Sequence, residues 1–443
     1  MPDAQNASRP IKESSNSGLA LFVSLVVALA VAALGLLFLR VPYGFSGSWG
    51  LTIAGAEVFK SAIPSARALR PLETETFVWY FRGLLLLAWL SWSALVLLGL
   101  RGRLPSSRVA HGLVVLVGLY VAVFAPPVLS GDVLGYTAKG HMLFPHGLNP
   151  YESGRPDLEA VGDPTARFLS QIVRLPYGPL WTLVAAGFAA AGSLAGFFVE
   201  LLAHKIWAAL SLIASAVAGA RLAEGRERGR GRLALLAIGL NPLLLLEGPA
   251  NGHNDLPMMA PLMWSAALHA GGRKRAGALV LGLAAAIKPV ALAAVPFLLY
   301  VEYIRKPSHW RDVGVALALI AAPSVVLSLV FGGPLELLRS VRDQAETAPT
   351  GLAQLAGWLL LAASFAWGLW LAATETGAAG WLTGWIPLSA ALVLVASRYW
   401  YPWYFTWALI PALTGWNERH RLLTLSISTV GFFATWLYTV GPR

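Results

Sequence analysis

Apolar runs of about twenty residues, nearly free of charge, recur along this chain, and that is the length a helix needs to cross a hydrocarbon layer about 30 Å thick. The first, Leu19 to Leu39, follows a polar stretch holding Asp3, Arg9, Lys12 and Glu13. It is too long for a signal-peptide core and shows no clear cleavage site, so it reads as a first transmembrane helix behind a short cytoplasmic tail, residues 1–17. Further runs occupy roughly 78–100, 111–129, 178–195, 199–220, 233–247, 255–270, 276–304, 313–331, 352–373, 381–396, 401–414 and 421–440. With 57% apolar and 12% charged residues among 443, an ordinary soluble globule, where about a quarter of residues are charged, is excluded. The expectation is one all-α, polytopic membrane domain over 18–443 with about thirteen crossings and no separate soluble domain.

Orientation follows from lysine and arginine in short loops, which stay in the cytoplasm. Arg101, Arg103 and Arg108 form one cluster; Arg221, Arg226, Arg228, Arg230 and Arg232 form a second, and Arg273, Lys274 and Arg275 a third. The first cluster places Asp132 outside. The second conflicts with two full crossings at 178–195 and 199–220, so the segment after Pro179 is expected to be re-entrant or interfacial, with 199–220 the true crossing. Ala276 to Ile304 is interrupted at Lys288-Pro289, because proline lacks an amide donor and pushes the residue before it out of helical geometry. The N-terminus then lies inside and the C-terminus outside. The excess of 33 basic over 22 acidic residues is therefore chiefly topological, and nucleic acid is not implied. There is no cysteine, which excludes a thiol nucleophile and thiolate metal sites.

The polar residues left over collect in four islands that this topology places on one face. They are 130–177, with Asp132, Tyr136, Lys139, His141, Asn149 and Tyr151; Asn251 to Asp255; 332–350, with Arg339, Arg342, Asp343 and Glu346; and Arg398 to Tyr404. Each has a plainer reading as well. Asp132 after Gly131 suits a helix cap, the aromatics of 399–404 suit an interfacial belt, and Arg398 suits a snorkelling anchor. A histidine at membrane depth between Gly252 and Asn254-Asp255 points more to function. Lys288, between two apolar half-helices, requires an anion, a carboxylate or a water-filled cavity. His204, Lys205 and His269 read as structural. No His-Glu-x-x-His, Walker, dinucleotide-binding or Gly-x-Ser-x-Gly motif occurs, so an enzyme of this kind would receive an activated substrate at the outer face as a lipid-linked donor.

The ordered set Gly131-Asp132-Val133-x-x-Tyr136, Gly147-x-Asn149-Pro150-Tyr151, Pro176-Tyr177-Gly178-Pro179-Leu180, Gly252-His253-Asn254-Asp255, Ile287-Lys288 and Pro402-Trp403-Tyr404 resembles the actinobacterial polyprenol-phosphate-mannose-dependent α-1,6-mannosyltransferases of lipomannan synthesis. These belong to the C-type (GT-C) membrane glycosyltransferase superfamily. The resemblance implies juxtamembrane helices in a first large external loop, 130–198, that carries the catalytic carboxylate, in a multi-pass protein of the bacterial plasma membrane. Asp132 would be the general base of an inverting transfer of mannose from a polyprenyl-phosphate donor to a glycolipid or glycan acceptor. Lys288 and Arg398, with the hydroxyls of Tyr401 and Tyr404, would face the donor phosphate. His253, Asn254 and Asp255 would bind sugar hydroxyls or orient Asp132, and Tyr136, Asn149, Tyr151 and Tyr177 would shape the sugar and acceptor side of the loop. Position 133 is Val where many superfamily members have a second acid, so no metal or other cofactor is expected, although Asp132 with Asp255 could hold a divalent ion through waters. A secondary transporter and a lipid-linked polysaccharide polymerase or ligase are the alternatives. An early polar loop and the lack of a repeated half speak against both.

Overall fold

The structure, a computed structural model, describes residues 17–41, 57–62, 69–169, 177–305, 309–336, 338–339, 352–375, 380–396, 401–415, 424 and 426–434. Among them the chain is helical, with no β-strand. Helix α1 (Ser17–Phe38) packs on α2 (Thr74–Leu100), where Phe38 and Phe81 stack at 5.9 Å. The inward face of α2 follows helical spacing through Phe77, Phe81, Leu85, Ala88, Trp92 and Leu95, while Trp79, Leu86, Leu90 and Leu97 are exposed. A helix apolar on both faces is a solution for lipid, not water.

The chain continues through α3 (Ser107–Phe124), α4 (Asp132–Leu143), α5 (Arg155–Ala160) and a 3₁₀ turn (Pro164–Phe168) to α6 (Pro179–Ala195) and α7 (Phe197–Arg226). Helices α8 (Gly231–Gly239) and α9 (Pro242–Leu245) follow, the latter running into a π-helical turn (Leu246–Ala250). The two arms of this pair are bent by 50°. Asn241 causes a fresh start there: its side chain accepts from the amides of Leu243 and Leu244 at 3.0 and 3.2 Å, and Pro242 occupies the first helical position, where no amide is needed. Next come α10 (Asp255–Ala270) and α11 (Lys274–Ile287). As the Lys288-Pro289 pair predicts, α11 ends at Ile287. Lys288 is extended (φ −146°, ψ 115°), and the chain resumes as a 3₁₀ turn (Pro289–Ala294), α12 (Val295–Leu299) and a π turn (Tyr300–Ile304). Then come α13 (Trp310–Ser328), a 3₁₀ turn (Leu329–Phe331), α14 (Leu352–Thr374), α15 (Gly380–Ala396), a 3₁₀ turn (Pro402–Phe405) and α16 (Thr406–Ala412).

Among the described residues six helices are long and apolar enough to cross a membrane, and the bent pair α8–α9 makes a seventh if it is one span. The protein is therefore a multi-pass membrane protein. Of the other segments counted among about thirteen crossings, α10 and α11 are 16 and 14 residues long, short of a bilayer at 1.5 Å per residue. Half of the last expected span, 421–440, lies outside the described residues. The segment after Pro179, expected to be re-entrant or interfacial, forms α6, 17 residues long and shorter than each of the six candidate spans. The Gly178 amide donates to Ile287 O (2.9 Å) at the close of α11, and Gly192 packs against Glu200 in the first turn of α7. A side chain at Gly178 would run into the carbonyl of Ala286, so the Tyr177-Gly178-Pro179 motif serves a close backbone approach.

Arginines and lysines of the short helix connections gather at the opposite end. Arg226 donates to Thr383 Oγ1 (3.1 Å), Arg232 to Pro105 O (3.2 Å) and Arg305 to Ala372 O (2.9 Å), and Lys274 pairs with buried Glu302 at 3.3 Å. His204 and Lys205 are packed inside, as expected of structural residues. The imidazole lies among Trp181, Phe188 and Tyr136, and the ammonium bonds Ala125 O and sits over Phe59.

Candidate active site

At the end away from the arginines, four chain segments converge. Asp132 opens α4, its amide donating to Ser130 Oγ (3.1 Å). Its carboxylate is one-third exposed, the most open charged group of the cluster, and Oδ2 lies 3.4 Å from Nδ1 of His253. Burial opposes its charge. Contact with His253 and the charges of His253 and Lys288 outweigh that and hold the carboxyl below its ordinary value, so Asp132 is ionised at neutral pH.

His253 belongs to the turn between the π-helical segment and α10. That turn closes through Asn251 N–H to Leu246 O (3.0 Å), Gly252 N–H to Gly248 O (2.6 Å) and His253 N–H to Glu247 O (3.2 Å). Gly252 has φ +73°, where a side chain is strained, and an added Cβ would press on Val133 at 3.0 Å. The Asn251 side chain accepts from Leu129 N–H (3.1 Å) and donates to Leu246 O (2.8 Å), tying the approach to Asp132 onto the same turn. The imidazole is buried, stacked on Trp403 at 4.2 Å with the planes 20° apart, and Trp403 stacks in turn on Tyr401 at 4.5 Å. Its other nitrogen, Nε2, lies 3.4 Å from Oε2 of buried Glu247.

Asp255, opening α10, accepts from Lys288 Nζ (2.7 Å) and from the indole of Trp407 (2.5 Å). Lys288 also reaches Asn254 Oδ1 (3.4 Å), which accepts from the Tyr136 hydroxyl at 3.3 Å. The ammonium lies 4.9, 5.2 and 5.6 Å from the ring centres of Tyr404, Trp407 and Tyr177, within cation–π range. The partner required by an intramembrane lysine is therefore a carboxylate within the chain. Asn254 Nδ2 and Asp255 Oδ2 have no hydrogen-bond partner among the described residues, and both are groups a sugar hydroxyl satisfies.

Asn149 and Tyr151 stand slightly apart. Asn149 donates to Phe331 O (3.1 Å) and accepts from Tyr151 N–H (3.2 Å), while the Tyr151 hydroxyl donates to Tyr177 O (2.9 Å). They brace the loop against α6 and α13. Arg398 lies outside the described residues, as do Arg342, Asp343 and Glu346. Among the described residues no group of three or more His, Cys, Asp or Glu is arranged to hold a metal ion.

A family profile described as alpha-(1->6)-mannopyranosyltransferase, N-terminal domain, matches residues 43–303, more than half of the chain. The chain belongs to the alpha-(1->6)-mannopyranosyltransferase family. It is also 26% identical, over 83% of its length and 75% of the relative's, to alpha-(1->6)-mannopyranosyltransferase A of Mycobacterium tuberculosis. No solved structure matches it. The stretch shared with the mannopyranosyltransferase family holds Asp132, the 247–255 turn and Lys288, whereas the aromatic wall of Tyr401, Trp403, Tyr404 and Trp407 lies beyond it.

Three members of this cluster escaped the motif reading. Trp407 lies within an apolar run, and nothing local marks it. Asn251 belongs to the polar island Asn251 to Asp255, but nothing local shows that it holds Leu129. Glu247 was absorbed in the run 233–247, although an acid among Leu243 to Leu246 and Pro249 is a polar outlier that hydropathy alone flags.

Proposed function

We propose that this chain is an inverting α-1,6-mannosyltransferase that moves mannose from a polyprenyl-phosphate donor to a glycolipid or glycan acceptor at the extracytoplasmic face of the bacterial plasma membrane. The observation that carries this reading is an ionised, partly open carboxylate, Asp132, set beside a buried polar wall of His253, Asn254, Asp255 and Lys288. Asp132 takes the proton of an acceptor hydroxyl as that oxygen attacks the anomeric carbon. A single displacement turns a β-linked mannosyl phosphate into an α-mannoside. The polyprenyl phosphate leaves with the bonding electrons, and Lys288, held by Asp255 and framed by Tyr404, stabilises that charge, with Tyr401 and Arg398 assigned to the same phosphate by side and charge. Asn254 and Asp255 take sugar hydroxyls through the atoms that have no hydrogen-bond partner among the described residues. Fixed cations serve the phosphate in this reading, so turnover proceeds without a divalent metal or other cofactor and survives a chelator.

Incubation of purified protein with a panel of polyprenyl-phosphate sugars and nucleotide sugars, followed by mass and linkage analysis, tests the proposal. Wild type forms an α-1,6-mannoside from polyprenyl phosphate mannose alone, and Asp132→Asn, folded and inserted, loses about 10²- to 10⁴-fold in rate. Use of a nucleotide sugar without a lipid donor overturns the donor assignment. Full turnover by Asp132→Asn removes it as the base.

A further inference from the structure

A second polar cluster lies at the other end of the bundle, away from the groups around Asp132. A cavity of about 510 Å³, within the ordinary size of a ligand pocket, opens between the first turns of α11 and α13. Its lining holds Arg273, Lys274, Arg275 and His309, and Asp312 is the one carboxylate among the described lining residues. Lys274 is already matched. Its ammonium is 3.3 Å from the carboxylate of buried Glu302 and 5.3 Å from the ring centre of Tyr303, which forms part of the wall. Arg273 and Arg275 are exposed, and neither side chain has a hydrogen-bond or ion-pair partner among the described residues. The helix starts add to the imbalance. Arg273 and His309 occupy the cap positions of α11 and α13, no side chain caps either helix, and the first turn of α11 holds no acid, so positive helix ends join the side-chain cations. An anion with several acceptor oxygens relieves this excess, and two guanidinium forks suit a phosphate.

The depth of the cavity points to the source of that phosphate. Helix α13 opens a candidate membrane span, Trp310–Phe331, one residue beyond His309, so the cavity lies where hydrocarbon gives way to headgroups. Trp310 is 86% exposed beside it, the ordinary setting of an interfacial tryptophan. Four residues past two of the lining residues, Arg275 and Val315, stand Leu279 and Leu319, on the same helix faces and open to the surroundings in whole or in part. Cations at the mouth and an apolar track beneath them are the outline of one amphiphile, whereas a free phosphate uses only the first. We propose that this cavity is a binding site for an anionic phospholipid of the leaflet at the basic end of the bundle. Its phosphate lies between Arg273, Arg275 and His309, and its acyl chains run along Leu279 and Leu319. Basic pockets between membrane helices hold anionic headgroups in this way. Topology alone asks only that the arginines be positive and stand in a short connection; it requires neither the cavity nor the apolar track.

The test uses full-length protein in a non-ionic detergent, with bound lipid counted by native mass spectrometry. Wild type holds phosphatidylglycerol more tightly than phosphatidylcholine, and inorganic phosphate at the same concentration does not displace it. Arg273→Gln/Arg275→Gln binds phosphatidylglycerol about 10- to 30-fold more weakly. Arg101→Gln/Arg103→Gln, which removes two exposed arginines from another connection at that end, binds it as wild type does. Equal weakening in the two double variants means diffuse attraction to a basic surface and overturns the site, as does phosphatidylcholine held as tightly as phosphatidylglycerol. Displacement by inorganic phosphate overturns the lipid assignment. If Arg273→Gln/Arg275→Gln fails to fold, Trp310 reports instead, because bromine on an acyl chain quenches a nearby indole. The difference in quenching between wild type and Trp310→Phe is larger with brominated phosphatidylglycerol than with brominated phosphatidylcholine, and equal differences overturn the proposal.

Discussion

Lys288 shows how much of one residue's role is set by its surroundings. The ammonium is nearly buried between two half-helices, and Asp255 at 2.7 Å is what makes its charge tolerable there. Removing one member of such a pair costs about 3–5 kcal/mol because the other charge is left bare, while replacing both is far cheaper. Lys288→Ala is therefore expected to destabilise the protein by about that much. Lys288→Met with Asp255→Asn recovers most of the loss, since Asn still accepts from Trp407, and thermal unfolding in detergent reads the difference. If Lys288 meets the donor phosphate, the double variant, stable again, still requires much more donor but little more acceptor; an equal rise in both KM values removes the phosphate role. That Lys288 needed an anionic partner was legible in the sequence, because a lysine between apolar half-helices cannot stand alone. That the partner is Asp255, with Trp407 on the same oxygen, was not, since these contacts span 33 and 152 residues.

At the scale of elements, the loop between α3 and α6 is pinned by a cluster that no motif announced. His141, near the end of α4, bridges Asp163 (2.9 Å) and Glu200 (3.0 Å), and His146 also reaches Asp163 (2.8 Å). Asp163 is further fixed by the amide and hydroxyl of Thr165 at 2.8 and 2.6 Å. The 3₁₀ turn, α4 and the start of α7 thus share one knot. Burial opposes protonation of His141, but Glu200 and Asp163 overcome it and raise its pKa from an ordinary 6.5 to about 9. A raised histidine contributes stability that is complete below about 6.5 and is lost as pH climbs through about 9. Asp163 is shifted the opposite way, below the ordinary carboxylate range, so its share is present throughout that interval and disappears only in strong acid. The melting temperature of wild type should fall between pH 6.5 and 9.5 more steeply than that of His141→Gln; parallel slopes would exclude the knot as the cause. The break at Lys288-Pro289 was plain in the sequence because proline acts locally. This knot was not, because Asp163 and Glu200 stand 22 and 59 residues from His141.

For the whole molecule, charge is sorted between two ends. Arg226, Arg232, Lys274 and Arg305 make their contacts at one, and Asp132, Glu200, Asp255 and Lys288 gather at the other. The positive-inside rule predicts that the first end is cytoplasmic. The absence of cysteine makes this measurable without background. Ser106→Cys, exposed beside Arg103, should react with a membrane-impermeant maleimide only after cells are opened, whereas Val161→Cys, exposed just past α5, should react in intact cells. The reverse pattern would invert the topology.

The amino-acid sequence alone determined the bilayer as the solvent, the helical class, the segregation of basic loops, the proline break before the 3₁₀ turn, and Asp132 as the carboxylate to watch. Each is written in composition or in near neighbours, where length, charge and backbone sterics act directly. The tertiary structure decided which helix faces meet. It showed that Gly178 closes onto the end of α11, that Asn251 holds Leu129 across 122 residues, and that Glu247 lies behind His253. Periodicity names the residues on a face but not the face opposite, and in a chain apolar on nearly every side only packing selects the partner.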